Sequence, residues 1–298
     1  MNGQNNIQDP DQQKELDRWQ CLDFYEQYED TSDYVSWQPI FIIGGCGRSG
    51  TTLLRVMLDT HSLLACGPES LLFLPLPINP EGLHQKFEVP LEHIQTWQRQ
   101  CRSRSKFIVQ FYESYLTIRK RKIWGDKTSR NIHRFNQILR HFPNAKLIHV
   151  VRDPRDVVCS LKTHRKRKVV DGKLVPTGWK MPFDDCVVRW LRAMEDVLPV
   201  RDHPNYIEVK YEDIVSHTTE TLTQVCRHIG VEFEQSMLQF HIEAGQFRNA
   251  LLFPQNVEAT EPISTRSVGR WKTELSNVES EEVLRRTGYY TNILGYRS

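Results

Sequence analysis

Two periodicities divide the chain. An uninterrupted apolar run occurs at Ile40-Phe41-Ile42-Ile43, a second is broken by His149 alone at Leu147-Ile148-His149-Val150-Val151, and Tyr206 to Lys210 reads as a third, more polar strand. Runs of this length without alternation suit strands of a parallel sheet covered on both faces. Between them apolar residues recur at helical spacing. Leu53, Leu54, Met57 and Leu58 follow the first run. Ile132, Phe135, Ile138 and Leu139 predict one amphipathic helix over Asn131 to Phe142, stopped by Pro143-Asn144. Val187, Trp190, Leu191 and Met194 predict another over Phe183 to Val197, and Thr218 to Gly230 a third, ended by its glycine. Strand–loop–helix at 40–60, strand–helix at 146–161 and a strand at 206–210 predict an α/β architecture, a central parallel sheet flanked by helices.

The remaining segments fill in around this frame. Residues 1–37 read as a polar, peripheral lead-in, with a short surface helix over Asp17 to Tyr28. Residues 38–298 read as one domain, with a helical insertion at about 75–121 carrying two helical patterns after Pro75, Pro77 and Pro80. Lys122 to Thr128 reads as a short strand and turn. Val169 to Met181, with Gly172, Pro176 and Gly178, reads as a mobile loop, and Glu279 to Arg286 as a helix start before a packed tail.

The chemistry concentrates where the first strand ends. Gly44-Gly45-Cys46-Gly47-Arg48-Ser49-Gly50-Thr51-Thr52 joins it to a helix. Glycines let the main chain approach a ligand, hydroxyls stand where the helix begins, and the free N–H groups there favour an anion. The nucleotide-hydrolase loop needs a lysine after its last glycine. Here Thr51 holds that place, and Arg48 is the loop's cation. A second anion site is predicted at Arg152-Asp153-Pro154. Asp153 suits an N-cap and Pro154 the first helical position, so Arg152 at a strand end and Ser160 two turns along the helix can grip one phosphate. Glu69, after a glycine-proline turn, is a carboxylate near the first loop. It suits a general base for a hydroxyl or, equally on spacing alone, a helix cap.

Gly45 to Leu53 resembles the 5′-phosphosulfate loop of sulfotransferases that use 3′-phosphoadenosine-5′-phosphosulfate (PAPS). The run Arg48 to Glu69, with Arg55-Val56-Met57-Leu58-Asp59 and Cys66-Gly67-Pro68-Glu69, is similar to the tyrosylprotein sulfotransferase branch in a soluble, bacterial-like form. The resemblance covers roughly residues 38 to 295 and implies a P-loop-type sulfotransferase fold. It also implies Glu69 as general base and Lys127 as the lysine that stabilises the leaving oxygen. Gly47, Arg48, Ser49, Gly50, Thr51 and Thr52 would hold the 5′ group, with Arg48 also in catalysis. Arg152 and Ser160 would hold the 3′-phosphate, Tyr211 the adenine or ribose, and Arg270, in a late loop, a further phosphate contact. Two departures stand out. His164, followed by Arg165, occupies the place of a third phosphate arginine, and Gln255 that of a catalytic serine.

Composition narrows the setting. The 298 residues are 39% hydrophobic and 26% charged, with a net charge of +2, so no global charge bias calls for nucleic acid. The basic run Arg165 to Lys168 reads as a solvated face, or as an attraction for an acidic acceptor. No apolar run approaches a membrane span. Seven scattered cysteines form no C-x-x-C, so no zinc site is predicted. The cysteine that secretory relatives carry before the catalytic lysine is absent from Ile123 to Lys127, which implies a reducing, cytoplasmic setting. The expectation is therefore transfer of a sulfuryl group from PAPS, without a metal, to a hydroxyl on an acidic peptide, a small molecule or a sugar, leaving 3′,5′-adenosine bisphosphate. The rivals are a kinase on the same loop and a non-catalytic nucleotide-binding module.

Overall fold

The computed structural model describes residues 30–163, 167–170, 173–176, 180–244 and 261–296. The expected helix at 17–28, and His164, Arg165 and Gln255, lie outside them. The elements run β1 (Phe41–Gly44), α1 (Thr51–Asp59), β2 (Leu64–Ala65), α2 (Pro80–Phe87), α3 (Leu91–Gln100), α4 (Arg104–Arg119), β3 (Ile123–Lys127), α5 (Phe135–His141), β4 (Lys146–Val151) and α6 (Pro154–Thr163). They continue with β5 (Arg167–Val170), β6 (Lys173–Pro176), α7 (Phe183–Glu195), β7 (Tyr206–Lys210), α8 (Tyr211–Ser216), α9 (Thr218–Ile229), α10 (Phe240–Ala244), α11 (Trp271–Glu274) and α12 (Asn277–Ile293).

Five strands form one parallel sheet in the order β2-β3-β1-β4-β7. Phe41 stands opposite Gly125 on one side and Lys146 on the other. The continuous apolar runs follow from burial on both faces. Ile40, Ile42, Leu147 and Val151 enter one hydrophobic cluster with α4, α5 and α7. Phe41, Ile43, Ile148 and Val150 enter the opposite cluster with Leu54, Met57 and Leu58 of α1 and Leu222 and Val225 of α9. With β1 central, the loops leaving β1, β3 and β4 emerge side by side at the carboxyl edge, where ligands of open parallel sheets bind.

Several expectations change in detail. The single helix over 131–142 is a 3-10 turn at Ser129–Arg134 followed by α5. Asn131 donates its side-chain N–H to Asp126 at 2.6 Å, and its backbone N–H to Thr128 O at 2.8 Å, which winds the first turn tightly. The loop expected over 169–181 instead contains β6, paired antiparallel with β5. Val169, Val170, Leu174 and Val175 flank an Asp-Gly pair, a hairpin signal that outweighs the glycines and proline around it. Residues 80–119 hold three helices rather than two. The segment after Glu279 is one long helix, α12, opened by a Ser276–Glu279 capping box. Of residues 1–37, the described part, 30–37, has no regular structure but is tied down: Ser105 N donates to Asp30 at 2.6 Å and Ser36 N to His141 O at 2.8 Å. Among the described residues no helix is long and apolar enough to cross a membrane.

Candidate active site

The β1–α1 loop, residues 45–50, leads from β1 into the start of α1. Gly50, the residue before the helix, has φ 92°, and a Cβ there would fall 2.3 Å from Cδ2 of Tyr211. Only glycine fits both the left-handed backbone and the ring beside it. Arg48 is also left-handed, at φ 76°. That conformation sends its side chain to α6, where Nε donates to Ser160 Oγ at 3.0 Å. The loop's cation is thus joined to the expected 3′-phosphate hydroxyl.

Arg152, at the carboxyl end of β4, completes this side. It donates to Arg48 O at 3.0 Å and to the Ser267 carbonyl, and its guanidinium lies 4.5 Å over the Tyr211 ring. Trp190 on α7 donates its indole N–H to Arg152 O at 3.0 Å. Asp153 and Pro154 take their expected places at the start of α6: Val157 N donates to Asp153 O, and Pro154 is the first helical residue.

The other side is built on β3 and the loop after β2. Lys127 Nζ donates to Thr52 Oγ1 at 3.1 Å and to Glu69 Oε1 at 2.8 Å, bridging the helix start and the carboxylate. Lys127 is almost wholly buried, whereas the Glu69 side chain is 39% exposed. The Ser129 backbone and hydroxyl also donate to Glu69, at 3.4 and 3.3 Å. Burial pushes the Glu69 carboxyl up. The Lys127 charge and hydrogen bond, with those from Ser129, outweigh it and hold the group below the usual carboxylate range.

Two polar atoms fit this chain to a large anion. Ser49 Oγ, at the amino end of α1, is fully buried and has no hydrogen-bond partner among the described residues; Arg152 Nε is in the same state. Buried polar atoms cost free energy unless a partner arrives. Ser49 belongs to the loop and Arg152 is bonded to it through Arg48 O, so an anion bound there would supply the missing acceptor.

The sequence-predicted residues therefore fall into two groups on either side of β1. Arg48, Arg152, Ser160 and Tyr211 meet on the β4 side; Thr52, Glu69 and Lys127 meet on the β3 side; and Gly47, Ser49, Gly50 and Thr51 lie between. Arg270 stands apart. Its guanidinium pairs with Glu274 at 2.7 Å and reaches Thr163 Oγ1 at 3.5 Å, one turn beyond Ser160. Sequence reasoning missed Arg189 of α7, whose guanidinium packs against the loop: a Cβ on Gly47 would lie 2.8 Å from its terminal nitrogen. It also missed Asp156, which accepts N–H bonds from Gly269 at 2.8 Å and Trp271 at 3.0 Å, and Arg155, stacked 3.8 Å from the Trp271 ring. These two tie the late loop to α6. No sequence signal marks them beyond their phase on helices next to motif residues.

Comparison with known proteins decides the family. The profile of the Sulfotransferase family matches residues 39–235, about two thirds of the chain, including both anion loops. The chain belongs to the sulfotransferase family. It is a PAPS-dependent O-sulfotransferase, an enzyme that moves a sulfuryl group to a hydroxyl. This sulfotransferase is 24% identical to protein-tyrosine sulfotransferase A of Caenorhabditis elegans, over 92% of this chain and 73% of that protein. It is 23% identical to protein-tyrosine sulfotransferase 1 of Danio rerio, over 80% of this chain and 67% of that one. The sulfotransferase domain of the Synechococcus PCC 7002 olefin synthase shares its fold at a TM-score of 0.59, with 22% identity over 87% of this chain and 97% of that domain. A sulfotransferase domain of the curacin biosynthetic pathway gives 0.58, with 21% identity, covering 85% and 99% respectively.

Proposed function

We propose that this sulfotransferase modifies a tyrosine hydroxyl in an acidic peptide segment, with Glu69 as general base and Lys127 as the cation at the leaving oxygen. PAPS supplies the sulfuryl group and carries away both electrons of the broken S–O bond as 3′,5′-adenosine bisphosphate. The observation that carries the reading is the position of Lys127 Nζ, within hydrogen-bond reach of Thr52 at the anion loop and of Glu69 together. One buried ammonium thus connects the donor cradle to the half-exposed carboxylate that faces the acceptor.

The proton balance follows. The acceptor O–H gives its proton to Glu69 as its oxygen bonds to sulfur. Paired with Lys127, Glu69 is a weak base in the resting enzyme. As negative charge develops on the leaving oxygen, Lys127 is drawn towards it, and Glu69 becomes more basic when its task requires it. Arg48 and the N–H groups at the start of α1 stabilise charge on the transferring group. Arg152 and Ser160 grip the 3′-phosphate, and Tyr211 packs beside the nucleoside. The tyrosine acceptor rests on the protein-tyrosine sulfotransferases among the relatives.

The test has two stages. Calorimetry with 3′,5′-adenosine bisphosphate, against ATP with magnesium as control, is expected to show tight binding of the bisphosphate alone; the reverse result refutes the donor site. Sulfuryl transfer from labelled PAPS is then followed to an acidic tyrosine peptide, to the same peptide with phenylalanine in place of tyrosine, to a simple phenol and to a sugar. Transfer only to the tyrosine peptide supports the reading, and transfer only to the phenol or the sugar replaces the acceptor. Lys127→Ala is expected to lower turnover by about 100- to 1000-fold while leaving bisphosphate affinity close to wild type.

A further inference from the structure

The Glu69–Lys127 pair depends on a second, buried set of contacts directly behind it. Three consecutive residues of the loop after β2 are each bonded to one of three consecutive residues at the end of β3. Lys127 donates to Glu69. Ser70 Oγ donates to Asp126 Oδ2. Leu71 N donates to Thr128 Oγ1 at 3.3 Å. Leu71 sits at φ 63°, a left-handed conformation unfavourable for a leucine, so the loop does not adopt this path by local preference. It is held there by its partners.

Asp126 is the centre of that set. It is 1% exposed and makes no contact with solvent that could substitute for a lost partner. Tyr112 OH of α4 donates to Oδ2 at 2.5 Å, and Asn131 Nδ2 to Oδ1 at 2.6 Å. Ser70 Oγ already accepts from Leu72 N at 3.0 Å, so its own proton is committed to Asp126. Tyr112 is itself wedged by aromatic packing, stacked on Trp124 with ring centroids 4.3 Å apart. All three side chains converge on this one carboxylate, one residue from Lys127. Among the described residues the side chains of Ser70, Tyr112, Asp126 and Asn131 make no hydrogen bond to the donor loop; Lys127 does, through Thr52.

We propose that Asp126 is a positioning residue for sulfuryl transfer, whose carboxylate holds the Glu69-Ser70 turn against Lys127 and so sets the alignment of the base and the cation. The proposal rests on the roles given above to Glu69 and Lys127. The groups facing this carboxylate and Glu69 are Tyr112 from α4, Lys86 from α2, which donates to Glu69 O at 3.0 Å, Cys66 from the loop, and Lys127 and Asn131. Among the described residues Lys127 donates to the Glu69 carboxylate, whereas Lys86 donates to the Glu69 backbone carbonyl. Release of the turn therefore removes the main influence that keeps Glu69 ionised, and Glu69 then titrates at higher pH.

The experiment compares Asp126→Asn, Tyr112→Phe and Ser70→Ala with wild type. The substrates are PAPS and whichever acceptor of the panel above is sulfated. For Asp126→Asn, kcat is expected to fall about 10- to 100-fold, the scale of a misaligned reacting group, with calorimetric affinity for 3′,5′-adenosine bisphosphate unchanged. The acid limb of the kcat profile is expected to move to higher pH. The Glu69 carboxyl, assigned by its loss in Glu69→Gln and followed by 13C NMR, is expected to move with it. Ser70→Thr, which keeps the hydroxyl, should restore most of what Ser70→Ala loses. Wild-type kcat and an unmoved acid limb in Asp126→Asn overturn the proposal. So does a lowered melting temperature with an unchanged rate per folded molecule, because that is a purely structural role. If Asp126→Asn fails to fold, Tyr112→Phe and Ser70→Ala carry the same test. Full turnover in Glu69→Gln instead overturns the assignment of the base, and is seen without reference to Asp126.

Discussion

Arg152→Ala gives the most direct measure of the donor site. In the structure this guanidinium is 5% exposed and spends two N–H groups on protein carbonyls, Arg48 O and Ser267 O. Its Nε–H has no partner among the described residues. A phosphate oxygen meeting that edge gains one charge-assisted hydrogen bond, about 1.5–3 kcal/mol. At about 1.4 kcal/mol per decade, losing it weakens binding by roughly 10- to 150-fold. Truncation also frees the Arg48 and Ser267 carbonyls and uncovers Tyr211, so a simple fall in affinity does not isolate the phosphate. Four titrations do. Wild type and Arg152→Ala are each titrated by calorimetry with 3′,5′-adenosine bisphosphate and with 5′-AMP. Losses from the loop or from Tyr211 affect both ligands and cancel in the ratio. The preference for the bisphosphate is expected to collapse by the factor above. If it survives intact in the variant, the 3′-phosphate does not sit on Arg152 and the second anion site is misassigned.

Ser49→Ala separates binding from folding in the opposite sense. It removes a buried hydroxyl that has no partner among the described residues, so the melting temperature should hold or rise slightly while bisphosphate affinity falls; a clear loss of stability refutes the reasoning. In Gly45→Ala the new Cβ lies 2.4 Å from the Val150 carbonyl of the neighbouring strand. Overpacking of about 1–3 kcal/mol should lower the denaturant midpoint, and a wild-type midpoint would show that the loop gives way. The Glu69 carboxyl is held below its unfolded value. Its contribution to stability is therefore complete above the unfolded value, about pH 4.3, and is lost as pH falls through the folded value. The stability gap between wild type and Glu69→Gln should narrow on acidification from pH 5 to pH 3, and a constant gap is the contrary result.

Much of this was legible because the signals are local. The apolar run, glycines and hydroxyls at 40–54 dictate a strand, a turn and a helix start whatever surrounds them, and Asp153-Pro154 sets the start of α6 in the same way. What stayed hidden is tertiary. β2 is two residues long, too short to show any period. The turn at 129–134 winds tightly because Asn131 reaches Asp126, a contact invisible in the spacing of Ile132 and Phe135. Arg189 reaches the loop only because α7 packs across α6. Arg270 was implied by the resemblance of Ser267 to Lys272 to a late loop of the family; the ion pair it makes with Glu274, four residues on, carries no signal in that resemblance.

The central place of β1 has a consequence for how such an enzyme changes over time. Of the residues proposed above to grip the 3′-phosphate, Arg152 follows β4 and Ser160 lies on α6. The proposed base, Glu69, and the proposed cation, Lys127, stand on the loop that leads to α2, α3 and α4 and on β3. The loop of β1 joins the two sets, through Arg48 to Ser160 and through Thr52 to Lys127. Substitution in α2 to α4 can therefore reshape the approach of the acceptor while the grip on the nucleotide stays as it was. A lineage built on this plan can acquire new targets by small steps, each intermediate still able to load its donor. Grafting the segment between β2 and β3 from one relative into another is the corresponding route for redesign.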